Sequence, residues 1–68
     1  MATVSVTFAD LVRDMATNEE VIIKTKLYGK APVRGYQKST DRKHVYLWFT
    51  GHRDGLLFPI TWTWQKVI

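Results

Sequence analysis

The order of the local signals constrains this chain most: one short amphipathic helix pattern comes first, and every later signal is a short strand. Phe8, Leu11, Val12 and Met15 fall at i, i+3, i+4 and i+7, one face of a helix over Thr7 to Met15. Thr7 is a good N-cap, and Asp10 three residues on gives a capping-box spacing with Asp in place of Glu. Asp10 also favours the helix start through the macrodipole. Thr17-Asn18 supplies the stop. A helix of two to three turns does not persist alone in water, so it must lie on the strands.

Those strands read as follows. Val21 to Tyr28 alternates Val21, Ile23, Thr25 and Leu27 with Ile22, Lys24, Lys26 and Tyr28, and Gly29-Lys30 reads as a tight turn. Ala31 to Ser39 is the second strand. Pro32 places its start at an edge or strand entry, and Gly35 marks a bulge or sharp bend. After a polar turn at Thr40 to Lys43, His44 to Thr50 is the most apolar strand. Val45, Leu47 and Phe49 suit an interior, yet Tyr46 and Trp48 make the other face large and apolar too. A strand apolar on both sides is covered on both sides, by the helix on one and a neighbouring subunit on part of the other. A turn between Gly51 and Gly55 leads to Leu56 to Phe58, broken by Pro59. Thr61 to Val67 ends the set, with Trp62, Trp64 and Lys66 on one face. The fold class expected is mainly β: a short N-terminal α-helix followed by a five-stranded, strongly bent antiparallel SH3-like barrel, as one domain over residues 1–68.

A chain of 68 residues buries only about 60% of its unfolded surface and is marginal alone. Such domains are reinforced by disulfides, a metal or oligomerisation. There is no Cys. His44 and His52, the two histidines, lack metal-ligand spacing, so no metal is expected. Oligomerisation remains. A composition 46% hydrophobic, with three Trp, three Tyr and three Phe, carries more apolar material than so small a barrel hides. No apolar run approaches the roughly 18 residues of a membrane span. Met1 to Thr7 lacks the basic and apolar regions of a signal peptide. A cytoplasmic location and no membrane partner are the expectations.

Charge divides where the helix ends. Residues 1–20 hold one Arg against two Asp and two Glu, a net −3; residues 21–68 hold nine Lys or Arg against two Asp, a net +7. A basic β unit behind an acidic helix points to a polyanion as first partner. Tyr36, Lys38, Arg42, Lys43 and His44 cluster around one loop. They read as a contact for RNA or single-stranded nucleic acid, with charges on phosphates and a ring on a base, or as a solvated turn. Lys24, Lys26, Lys30 and Arg34 are either a second basic surface or, as favoured here, charges that keep an edge soluble. Trp62 and Trp64 fit a base platform or, better, a subunit interface. His52-Arg53-Asp54 reads as a turn. No phosphate loop, carboxylate pair or nucleophile–base pair is present, so neither an enzyme nor a cofactor is expected.

A helix and five strands in this length resemble the Sm-like family, which includes the Sm and LSm proteins and the bacterial RNA chaperone Hfq. The local likeness runs from Leu27 to Phe49. Leu27-Tyr28-Gly29-Lys30 resembles the turn between the first two strands of the family. Val33-Arg34-Gly35 resembles the hydrophobic-x-Gly core of its Sm1 motif. Asp41 before Val45-Tyr46-Leu47-Trp48 resembles the acidic loop position and apolar third strand, and Phe58-Pro59-Ile60-Thr61 the link into the last strand. The resemblance implies a homo-oligomeric ring, in which the fourth strand of one subunit pairs with the fifth of the next. Leu56, Leu57, Phe58, Trp62 and Trp64 would supply the apolar contact, and such a head-to-tail ring of roughly five to seven copies closes only if the rotation divides a circle. It also implies RNA binding, in a chaperone-like or scaffolding role. The chain departs from the family where Phe58-Pro59-Ile60 replaces the basic Tyr-Lys-His link, and the Arg-Gly of Sm2 is missing. The alternative is a small SH3-like protein-interaction module or phage-type inhibitor with an aromatic docking surface.

Overall fold

The computed structural model describes residues 2–17 and 19–68. Its elements are β1 (Thr3–Val6), α1 (Phe8–Ala16), β2 (Ile22–Thr25), β3 (Gly29–Lys38), β4 (His44–Phe49), β5 (Leu56–Pro59) and β6 (Trp64–Val67). The mainly β class with one short helix holds. Two finer expectations are corrected: there are six strands, not five, and they form one open antiparallel sheet, ordered β1-β6-β2-β3-β4-β5, in place of a closed barrel.

The helix forms where its cap places it. Thr7 accepts from the Asp10 amide at 3.3 Å, and the Asp10 carboxylate accepts from the Thr7 amide at 3.0 Å, closing the capping box. Thr17 is the C-cap. Asn18, the second half of the expected stop, lies outside the described residues. Leu11 inserts into the core, with Phe8 and Met15 packed beside it. At the other end of the helix, Lys66 of β6 donates to Asp14 at 2.5 Å.

Strand β3 is the pivot of the sheet. Its first half pairs with β2, from Thr25↔Gly29 to Ile22↔Pro32. Its second half pairs with β4, from Val33↔Phe49 to Lys38↔Val45. The register shifts between Val33 and Gly35, at the glycine where the sequence places a bend. A bulge of this kind lets one strand leave one sheet half and join another around a corner. The curled sheet wraps a single core of Val6, Leu11, Val21, Ile23, Ala31, Val33, Val45, Leu47, Phe49 and Trp64. Phe58 of β5 meets the Trp64 ring edge-on at 5.4 Å, so the two sheet halves touch across that core.

The hairpin between β2 and β3 turns earlier than the sequence suggests. Its loop is Lys26-Leu27-Tyr28, and Gly29, at φ +65°, is already in β3. This is the three-residue hairpin whose following position takes a left-handed conformation that glycine adopts without strain. The Thr25 hydroxyl closes it, accepting from the Tyr28 amide at 2.9 Å and donating to the Gly29 carbonyl at 3.0 Å.

Strand β1 pairs with β6 along its whole length, from Thr3↔Val67 to Val6↔Trp64. Strand β6 also pairs with β2, at Ile23↔Lys66 and Lys24↔Gln65. The last strand therefore has no free edge, and the expected ring contact of the fourth strand onto the fifth cannot form there. The free edges of the sheet belong to β1 and β5.

Candidate nucleic-acid interface

The β3–β4 loop is built around one carboxylate. Asp41 accepts from the Ser39 hydroxyl and, at 2.8 Å, from the Lys43 amide, and its second oxygen faces His44 Nδ1 at 3.2 Å. The Ser39 oxygen in turn accepts from the His44 amide at 3.2 Å, and the Ser39 carbonyl from the Arg42 amide at 3.1 Å. The Ser39 hydroxyl, then the Lys43 amide, stabilise the charged form and hold the Asp41 carboxyl at about 2, below its ordinary 3.8. With the Asp41 carboxylate held by hydrogen bonds within the loop, Arg42 and Lys43 stand exposed at the loop tip with no carboxylate partner among the described residues. Arg42 sits at φ 59°, a conformation that costs a residue with a Cβ roughly 1–2 kcal/mol.

The five residues expected as an RNA contact share one end of the β3–β4 hairpin but divide between its two faces. Directly paired residues in an antiparallel ladder lie on the same face. Lys38 pairs with Val45 and Tyr36 with Leu47, which puts both on the core and helix side. There Tyr36 meets Phe8 edge-on at 5.4 Å, and the Lys38 ammonium lies 5.8 Å from the same ring. His44 lies on the opposite face, with Tyr46 and Trp48. Arg42 and Lys43 occupy the tip between.

The expected interface residues also separate. Leu57 and Trp62 are half exposed, at 51% and 50%. Leu56 and Phe58 are partly buried against the core. Trp64 is a core residue at 2% exposure, which corrects its assignment to a subunit interface. The alternation that put Trp62 and Trp64 on one face is broken by a turn after Pro59, where the Trp62 amide donates to the Pro59 carbonyl at 2.9 Å. Strand β6 starts only at Trp64.

The face of Tyr46 and Trp48, expected from the sequence to be covered in part by a neighbouring subunit, is the outward face of β3, β4 and β5. Gln37, Tyr46 and Leu57 form one cross-strand row on it, and Trp48 opposes Gly35 in the next. The Tyr46 and Trp48 rings are 5.8 Å apart at 31°. The Trp48 indole lies against Gly55, where an added Cβ would come within 3.1 Å of its Nε1. At the bulge, exposed Arg34 donates from Nε to the Phe49 carbonyl at 3.3 Å, which anchors its guanidinium beside β4. The signal for this face was in the sequence, as the second apolar side of His44 to Thr50.

The loop at 50–55 is fixed to the β2–β3 hairpin. Tyr28 stacks on His52, with centroids 3.8 Å apart, and donates to the Asp54 carbonyl at 3.0 Å. Among the described residues there is no cluster of three metal-ligating side chains, and no helix is long and apolar enough to cross a membrane.

Comparison with known proteins finds no family model, no curated protein and no solved structure that matches this chain.

Proposed function

We propose that this chain is an Sm-like module that binds single-stranded nucleic acid, RNA in the first place, through its basic β surface. The observation that carries the reading is the β3–β4 loop, in which hydrogen bonds hold the Asp41 carboxylate in place while Arg42 and Lys43 stand exposed, with no carboxylate partner among the described residues. Lys24, Lys26, Lys30, Arg34, Lys38 and Arg53 are likewise exposed and outside the ion pairs found among the described residues. The short helix ahead of β2 to β6 and the bent β3 support this reading, while the additional strand β1 and the open sheet depart from the five-stranded barrel of the family. Self-assembly into a ring of roughly five to seven copies belongs to the same reading, with β5 of one copy laid on β1 of the next, since those two edges are unpaired. Closing the ring would remove both edges.

The test is binding of a fluorescein-labelled oligouridylate followed by anisotropy against salt. Four phosphate contacts on a single strand give a slope near −2.8, so affinity should fall about fiftyfold over a fourfold rise in salt. Salt-independent binding, or none at micromolar protein, would remove the reading. The half-exposed Leu57 and Trp62 favour a second reading, an SH3-like docking module or phage-type inhibitor for a protein partner. A stable monomer with red-shifted tryptophan emission and no oligouridylate binding would favour it.

A further inference from the structure

We infer that the outward face of β4, at Tyr46 and Trp48, is a stacking platform for the bases of a single strand whose phosphates lie on Arg34, Arg42 and Lys43. This rests on the nucleic-acid reading and deepens it by assigning a second, uncharged component of binding.

Three observations converge. First, the two rings are adjacent but not closed on one another: their centroids are 5.8 Å apart, their planes tilt by 31°, and Tyr46 is 41% exposed. Every base has a π face, so rings presented in sequence along a strand take successive bases whatever their identity. Second, the platform is preformed. Trp48 lies against Gly55, and the cross-strand row of Gln37, Tyr46 and Leu57 is fixed by register. Third, its charge suits a polyanion. The residues paired across this face are His44, Tyr46, Trp48, Gly35, Gln37, Leu57 and Pro59, with no carboxylate among them. Asp41 borders it as a charged carboxylate, held by Ser39, the Lys43 amide and His44, and is outnumbered there by Arg42 and Lys43. Arg34, tethered to the Phe49 carbonyl, flanks one end, and Arg42 and Lys43 flank the other. Such a border favours a nucleic acid over a neutral protein surface as the occupant.

The test compares Tyr46→Ala with the Arg42→Ala/Lys43→Ala double variant, using the labelled oligouridylate. Tyr46→Ala should weaken binding roughly ten- to a hundredfold with the salt slope unchanged, because stacking is lost and charge is not. The double variant should weaken binding and make the slope shallower by about 1.4. Tyr46→Phe, which keeps the ring, should bind as the unaltered protein does. In a Trp62→Phe background, oligouridylate should quench the tryptophan emission, reporting Trp48. If Tyr46→Ala binds normally while the double variant is impaired, the platform is overturned and the nucleic-acid reading stands. If the unaltered protein does not bind, that reading falls and the platform with it. If Tyr46→Ala changes the native mass and leaves binding intact, the face is a contact between proteins, which also overturns the inference.

Discussion

At the scale of residues, Asp41 shows how one side chain shapes the β3–β4 loop. Its carboxyl is held at about 2, first by the Ser39 hydroxyl and then by the Lys43 amide, against an ordinary value of 3.8. A depressed carboxyl contributes stability that is complete above its unfolded value and is lost as pH falls toward the folded one. The thermal midpoint of Asp41→Ala should therefore lie below that of the unaltered protein at neutral pH, with the gap closing between about pH 4 and pH 2. A gap of equal size at pH 7 and pH 2 would mean that the carboxylate does not hold the loop. Arg42, one residue on, carries a strained backbone in that same loop. Outliers of this kind persist only where the surroundings over-determine them, and here the surroundings are the hydrogen bonds of Asp41 and Ser39. The loop's composition was legible in the sequence. The hydrogen bonding of its one acid within the loop was not, because a turn sequence does not say which of its amides a carboxylate will accept from.

At the scale of elements, α1 was legible almost residue by residue, since cap, periodicity and first-turn charge all agree. Its stability comes from the core and not from the cap. Leu11→Ala should cost about 2–5 kcal/mol, as for other buried leucines, while Thr7→Ala should cost about 1 kcal/mol. Urea unfolding of the two variants would show it, and equal losses would mean that Leu11 is not seated in the core. Strand β1 was not legible. Thr3–Val6 is four residues long, runs directly into the helix cap, and finds its partner at the far end of the chain, so no local signal announces it. The early turn at Lys26-Leu27-Tyr28 was missed for a related reason. Alternation continues through Tyr28, whereas the turn is closed by the hydroxyl of Thr25, a residue that reads simply as a strand former. Trp64 shows the limit of period-two reasoning: one turn after Pro59 moves it from an expected surface into the core.

At the scale of the whole molecule, the proposed ring and the proposed nucleic-acid binding rest on two features, the unpaired edges of β1 and β5 and the exposed basic side chains. Light scattering should give a discrete species of roughly five to seven chains that persists when salt is raised, because backbone pairing of β5 on β1 does not depend on charge. A monomer at all concentrations would exclude that edge pairing. The pairing of β1 with β6 within one chain has its own consequence for how the fold is reached. Strands β2 to β5 follow one another through short connections and can zip up in order, but Thr3 and Gln65, which share a side-chain hydrogen bond, are 62 residues apart in sequence. Closing a loop of that length carries an entropy cost of roughly 4 kcal/mol, and it waits until β6 exists. A β6 edge without β1 would be an open seam for strand pairing, and the tether within the chain favours its own β1. A β1 segment exchanged between two chains would make this same pairing, which is the geometry of a domain swap.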